Sequence, residues 1–527
     1  MTKSAVDIVI IAIYLITVTI VGYFVSRKDR DTKEGYFVGG RRLAWPIVGM
    51  SLFATGISSM QFVGQAGLGY KIGIAAANPQ LVGAFMLGFS AVFFVPLFIR
   101  SKVFTVPEIL ELRFGRPAQV IYSLTLFTLG FFGGPFGFYA GGLAVLEIFQ
   151  LDPQFLWVCC LVLGVLIALY TVGGGYTAVV MTDFMQGSIL LIGGVLVLIM
   201  GLLDLPNLSV LVDAPRSGHL DLLLPSSDPY MPWTGVITGL AVASLFFATV
   251  NHSMLQKMLG ARSVYDARMG MVMASILKIV AVFIIVMPGV IAAYLYPDIN
   301  PDAAFPTMIN RLLPVGISGL VLAAVIAALM STADSGVNAM AGIVSLNLYP
   351  LVRPGASERE SVRVGKIAAA LLFAWSIFTA PFVGNLGLIF PITLKIAAYM
   401  LCPVGVCYLA GRFSRRVNRQ GAIWVMVIGY TLGVYLTVFT VLDPLHPFVP
   451  DFILNTNFYH INPILFLVYM TLIHVVSRLT PPPDKEQVDA FMFSGQIVDQ
   501  KARPWFVSFA FWLGMMSFLF VSIYLLF

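Results

Sequence analysis

Residues 327–338, AALMSTADSGVN, hold Ser331, Thr332, Asp334, Ser335 and Asn338 in the middle of an apolar stretch. On a helix, Ala328, Ser331, Thr332 and Ser335 follow at i, i+3, i+4 and i+7, so they share one face with Asp334 beside it. A small hard cation, once dehydrated, takes about five or six oxygen ligands from carbonyls, hydroxyls and few full charges. This stripe offers that kind of oxygen. The plain alternative is that each hydroxyl bonds back to the carbonyl four residues earlier and does nothing further. Two carboxyls weigh against it: Asp183, in GGGYTAVVMTDFMQ, and Asp334 both stand in apolar surroundings. Two amines do the same, Lys278 in ASILKIVAVFIIVMPG and Lys395 in FPITLKIAAYM. If both lysines face a common cavity, they favour an anionic or hydroxyl-rich solute; otherwise their long stems snorkel towards an interface.

The elements that must position these groups are membrane spans. The chain has 527 residues, 59% of them hydrophobic and 11% charged, with a mean hydropathy of +0.92. That lies far outside the soluble globular range and marks an all-α polytopic membrane protein. Apolar runs predict fourteen spans, at 5–26, 43–69, 77–99, 117–150, 154–172, 177–202, 233–257, 269–296, 314–349, 365–384, 386–411, 421–441, 462–478 and 505–527. The first is read as a retained span and not a cleaved signal. An ionisable group at bilayer depth costs roughly 2.5–3.5 kcal/mol or more unless it has a partner or a wet cavity, so Asp183 and Asp334 are functional candidates. Asp183 also has a structural reading, as an interfacial acid near the end of its span.

Charge sets the expected orientation. Alternate loops place 25 of the 31 Lys and Arg residues on one side, among them Arg113, Lys257, Arg268 and Arg412. That side is cytoplasmic by the positive-inside rule, so both termini are expected outside the cell membrane. The net charge of +6 follows from this scatter and does not call for a nucleic-acid partner. The four cysteines, Cys159, Cys160, Cys402 and Cys407, lack metal-ligand spacing and read as small apolar residues. No phosphate loop, HExxH, CxxC or GxSxG occurs, so neither an enzyme nor an ATP-driven pump is expected. An ion gradient is left as the energy source. The segment TPPPDKEQ, 480–487, reads as a stiff connector.

Two spans depart from uniform helix. The second carries Gly49, Gly56, Gly64, Gly67 and Gly69 around a polar centre of Thr55, Ser58, Ser59 and Gln61. Close packing explains the glycines, but the polar run points to an unwound segment whose freed carbonyls face a cavity with a cation or polar solute. The seventh has Asn251, His252 and Gln256 close together. Two interrupted spans with four between them suggest repeated halves with a site at their junction, as in a secondary transporter.

Several long stretches then resemble the sodium/solute symporter family, within it the sodium/sugar cotransporter branch. They are GYFVGGRRLAWPIVGMSLFATGISSMQFVGQAGLGY at 35–70, TVPEILELRFG at 105–115, ALYTVGGGYTAVVMTDFMQ at 168–186, LKIVAVFIIVMPGVIAAYLYPD at 277–298, GLVLAAVIAALMSTADSGVNA at 319–339 and RVNRQGAIW at 416–424. The resemblance implies a leucine-transporter-like core of two inverted five-helix repeats, at 43–202 and 233–411. An extra helix and loop at 1–42, an outer loop at 203–232 and extra helices at 412–527 complete the expected organisation. It implies sodium-driven alternating access in a monomer, with a sodium site made by the carbonyls of Ala54 and Ile57 together with Ala328, Ser331 and Thr332. Some members hold a second sodium through an acid matching Asp183 and two serines matching Asp334 and Ser335. Here one of those serines is an Asp, which leaves sodium or a proton open at that place.

For the solute, the resemblance to sodium/galactose cotransporters matches Gln61 and Lys278 to identical residues. A pocket Glu becomes Gln80, a pocket Gln becomes Lys395, an Asn becomes Ser244, and a gating Tyr becomes Phe247. Ser58 stands beside Gln61 and joins the candidate solute contacts. Losing an acid and gaining a base makes the pocket more positive, so a sugar or sugar acid is expected. The Arg that sialic-acid members carry in the fourth span is absent from LFTLGFFGGPFGFYAGGLA. Proton coupling, an amino-acid or monocarboxylate solute, and a sensor that binds without transport stand as alternatives.

Overall fold

The computed structural model describes residues 5–25, 32–58, 61–149, 151–207, 209–212, 219–386, 389–442, 450, 453, 456–493 and 504–527. Ser59 lies outside them, as do Lys3, Arg27, Lys28, Arg30, Arg216, Lys501 and Arg503 among the basic residues counted above. Thirteen described helical stretches are long and apolar enough to cross a membrane. One of them, Gln61–Phe93, turns through Gly73–Ala77 and so holds two passes. The shorter apolar helix Trp45–Thr55 completes the first of these. That accounts for the fourteen passes expected.

The elements that frame the site are α1 (Ala5–Val25), α2 (Trp45–Thr55), α3 (Ala66–Ile72), α4 (Asn78–Phe93), α5 (Arg116–Phe149) and α6 (Leu156–Asp204). They continue with α7 (Ala241–Val250), α8 (His252–Leu259), α9 (Val264–Ala281), α10 (Ile317–Gly342), α11 (Glu358–Thr379) and α12 (Ile389–Phe413). Outside this group come α13 (Arg419–Thr437), α14 (Phe458–Leu479), α15 (Lys485–Phe491) and α16 (Phe509–Leu526).

Helix α10 is the hub, packed against α1, α5, α6 and α11. Its N-terminus is fixed by Asp7 of α1. One Asp7 oxygen accepts hydrogen bonds from Gly316 N, Ser318 Oγ and Gly319 N, each at 2.8 Å. A carboxylate suits that end because it satisfies orphan N–H groups and opposes the helix dipole. Helix α6 carries two passes joined at Gly175, whose φ of +63° is a left-handed conformation that other residues enter at a cost. A Cβ there would also lie 2.6 Å from the Tyr36 ring. Local capping signals start other elements: Ser263 Oγ accepts from Asp266 N at 3.0 Å, Asn251 Oδ1 from Met254 N at 3.3 Å and Asn418 Oδ1 from Gly421 N at 3.0 Å.

Two expectations change. Arg113, Arg268, Arg412 and Lys257, counted above with loop charges, are buried. Arg113 donates to Val417 O at 2.7 Å, Arg268 to Ala91 O at 3.1 Å and Arg412 to Phe93 O at 2.9 Å. A guanidinium has several donors and can close helix-end carbonyls, so these arginines tie helices together where a loop charge would meet water. The connector after α14 contains the short helix α15, which buries Val488 and Phe491, and Arg412 donates to Phe491 O. Its proline run is followed by a docked element.

Candidate functional site

The second span breaks where its polar centre lies. Helix α2 ends at Thr55, and the next helical turn begins at Gln61. Ser58 N would continue the helix by bonding to Ala54 O, but it donates to Gln61 Oε1 at 2.7 Å. Gln61 N, which would reach Ile57 O, donates to Ser58 O at 3.0 Å. The Ser58 hydroxyl also bonds Gln61 Oε1. A glutamine side chain thus takes over part of the helical bonding: Ile57 O loses its usual donor, while Ala54 O keeps a shorter-range bond from Ile57 N at 3.2 Å. Both residues are fully buried.

The α10 stripe faces this break. Thr332 Oγ1 donates to Thr55 O at 3.4 Å, and Ser331 Oγ donates to Asp183 Oδ1 at 2.5 Å. Each hydroxyl has committed its proton to an acceptor, which leaves its lone pairs for a cation. Ala328 is fully buried on the same face. Ser331 and Thr332 thus bring hydroxyl oxygens next to the break, the kind of donor a small hard cation takes.

Behind them lies a continuous buried network. Asp183 accepts from Ser51 Oγ at 2.5 Å and Thr55 Oγ1 at 3.5 Å, in addition to Ser331. Thr55 Oγ1 shares a hydrogen bond with Ser335 Oγ at 3.0 Å. Asp334 accepts from Ser335 Oγ at 3.2 Å and from Tyr170 OH at 2.7 Å. The sequence reading missed the central cation. Lys257 Nζ is 2.9 Å from Asp183 Oδ2, and neither side chain has exposed surface. Lys257 is on α8, just past the break in the seventh span, where Asn251 is extended (φ −71°, ψ 109°). Asp183 is the fully buried acid of this ion pair.

A separate cavity of about 710 Å³, counted out to its open side, lies on the other side of the break. Gly56, Gln61, Gln80, Ser244, Phe247 and Lys278 line it, with apolar wall from Leu394, Ala397, Ala398 and Leu401 of α12. Lys278 Nζ donates to Gln80 Oε1 at 2.7 Å, Gln80 Nε2 to Gln65 Oε1 at 2.8 Å, and Gln65 Nε2 to Ala76 O at 2.8 Å. No acidic residue is in the lining among the described residues. Ser58 acts through Gln61 and is not itself in the lining. Lys395 does not reach this cavity: its amine donates to Thr440 O at 3.3 Å, and the residue borders another recess with Tyr230 and Asn457. Leu394 borders both hollows, whereas Lys395 borders only the second. The base gained at that position therefore does not charge the cavity.

These features agree with five likenesses. The profile of the Sodium:solute symporter family matches residues 36–429. The chain is 32% identical to the sodium/myo-inositol cotransporter of Homo sapiens, over 92% of this chain and 75% of that one. It is 33% identical to sodium/myo-inositol cotransporter 2 of Oryctolagus cuniculus, over 92% and 78%. Among solved structures, a substrate-bound outward-open Na+-coupled sialic acid symporter superposes with a TM-score of 0.78 at 20% identity, over 92% of this chain and 99% of that one. A nucleobase-cation-symport-1 family transporter in a closed conformation superposes with a TM-score of 0.52 at 17% identity, over 88% and 98%. The fold is therefore the leucine-transporter type. A broken span beside a hydroxyl stripe, matched over most of its length, places this multi-pass membrane protein in the sodium:solute symporter family: it is a sodium-coupled solute symporter and not an enzyme.

Proposed function

We propose that this symporter imports a polyhydroxylated solute bearing one carboxylate, a sugar acid, together with sodium held by Ala54, Ile57, Ala328, Ser331 and Thr332. The observation that carries the solute reading is Lys278. Its ammonium is buried at the cavity, and its partner there is the neutral Gln80 amide at 2.7 Å. A buried charge is stable only with a counter-charge or wet surroundings. A solute carboxylate supplies one, while Gln61 and Ser244 address hydroxyls and Phe247 offers an apolar face. A second reading is a neutral cyclitol, supported by the myo-inositol named for relatives about 32% identical. Lys278 would then donate to solute hydroxyls.

The break couples the two cargoes. Thr55 meets α10 through its carbonyl, and the adjacent Gly56 lines the solute cavity. Sodium that orders residues 54–57 also sets Ser58 and Gln61, so each cargo raises affinity for the other by the same factor. One sodium crossing at 100 mV contributes about 2.3 kcal/mol before its concentration gradient is counted. We assign residues 43–202 and 233–411 to the two repeats that alternate around this point, and both termini to the outer face.

The test is sodium-gradient uptake into proteoliposomes with competing solutes. Uronates and aldonates should displace a labelled sugar acid better than glucose or myo-inositol. Gln80→Glu, which supplies Lys278 with an internal carboxylate, should reverse the preference. Neutral polyols competing best, with no response to Gln80→Glu, would establish the cyclitol reading instead.

A further inference from the structure

We propose that Gln65 is a positioning residue for solute selection: it fixes the direction of the Gln80 amide and thereby makes the Lys278 corner of the cavity a set of N–H donors suited to a carboxylate. The inference rests on Lys278 as the solute contact proposed above. Gln65 ends the helical turn Gln61–Gln65 beyond the break, is fully buried and stands outside the cavity lining. An amide can be turned end for end with little change of shape, so its partners set where its nitrogen and oxygen lie. Both ends of this relay are unambiguous. Ala76 O, in the turn Gly73–Ala77 before α4, can only accept, and the Lys278 ammonium can only donate.

Between those ends, Gln65 Nε2 donates to Ala76 O at 2.8 Å, Gln80 Nε2 to Gln65 Oε1 at 2.8 Å and Lys278 Nζ to Gln80 Oε1 at 2.7 Å. Turning one amide alone sets N–H against N–H and oxygen against oxygen. Turning both sets Gln65 oxygen against Ala76 O and Gln80 N–H against the ammonium. One arrangement therefore satisfies all three links, and Gln65 carries the constraint from the backbone to Gln80. Gln65 and Gln80 are both buried, and a buried N–H left without an acceptor is costly. With Gln65 removed, the Gln80 side chain would turn to find an acceptor and take its carbonyl away from Lys278. In the intact relay that carbonyl holds one ammonium hydrogen and leaves the others to the solute. The residue that sets this corner thus stands where the solute does not reach.

Binding of radiolabelled glucuronate and of radiolabelled myo-inositol to the purified full-length protein in saturating sodium tests this. Gln65→Met should weaken glucuronate about fivefold, as for one hydrogen bond of ordinary strength, and myo-inositol by less than about twofold. The melting shift given by sodium alone should not change. Gln80→Met should weaken glucuronate by itself, and adding Gln65→Met to it should do nothing further, because Gln65 acts through Gln80. Gln65→Asn, one methylene too short to bridge Ala76 and Gln80, should show the same loss and serves where methionine at this place does not fold. A folded variant with wild-type glucuronate affinity overturns the proposal, as does a loss that persists undiminished in the Gln80→Met background. Equal losses for both solutes and for sodium stabilisation mark a merely structural residue and overturn it too. A wild type that binds myo-inositol more tightly than glucuronate defeats the sugar-acid reading alone. The same double-mutant cycle, read with myo-inositol, then supports Gln65 by coupling or overturns it by additivity.

Discussion

Lys257 and Lys278 are the two buried lysines among the described residues, and they stand on consecutive helices. Lys257 meets a carboxylate inside a network in which every oxygen of Asp183 already has a partner. Lys278 meets an amide at the rim of an open cavity. The same side chain therefore serves two ends. Where the protein provides the counter-charge, the lysine belongs to the scaffold. Where it provides only a neutral acceptor, the lysine is left to recognise what comes from outside. Burial alone does not separate these roles; the partner does.

Breaking the scaffold pair should give the largest effect. Asp183→Ala leaves the Lys257 ammonium buried without a counter-charge and releases Ser331. A loss of about 3–5 kcal/mol is expected, read as a large drop in melting temperature in detergent, with sodium stabilisation abolished. Lys278→Gln should behave in the opposite manner. Its melting temperature should stay near the wild type, while affinity for a sugar acid falls by at least tenfold, corresponding to about 2 kcal/mol or more for a truncated hydrogen-bonded charge pair. If Lys278→Gln unfolds the protein and spares binding, the contrast between the two lysines is wrong. Asp7→Ala removes the α10 cap and should cost about 1–2 kcal/mol, with sodium stoichiometry unchanged. Lys395→Gln should alter uptake least, by less than about threefold in keeping with a surface-type change, because its amine is turned to Thr440 O. A large loss there would return that residue to the solute path.

Much of this arrangement was legible in the sequence. The i, i+3, i+4, i+7 pattern placed Ser331 and Thr332 on one face, and the polar centre around Gly56 located the break, because both signals are local. The partners of Asp183 were not local. Lys257 lies 74 positions away and sits where lysines usually mark a cytoplasmic helix end, so a count of loop charges absorbed it. Ser51, Tyr170 and Gln65 are single polar residues in apolar helices, and nothing in their spacing sets them apart from back-bonded hydroxyls and packed aromatics. Asp7 near the start of α1 offered the rarity of an acid in an apolar run, a signal of the kind that singled out Asp183. Lys395 shows the converse limit. Depth in a span can be read from hydropathy, but the face of the helix depends on neighbours.

The segment from Ala54 to Gln61 meets the α10 stripe at Thr55 and lines the cavity at Gly56, so the sodium site and the solute site proposed above are separated there by a single peptide unit. For anyone altering the specificity of this transporter, that makes the cavity unequal ground. Changes at Ser244, Phe247 or the α12 wall can retune the solute alone. Changes at Gly56, Ser58 or Gln61 would shift sodium affinity in the same step, so a selection for new solutes should accumulate its mutations on the far wall and leave the break untouched.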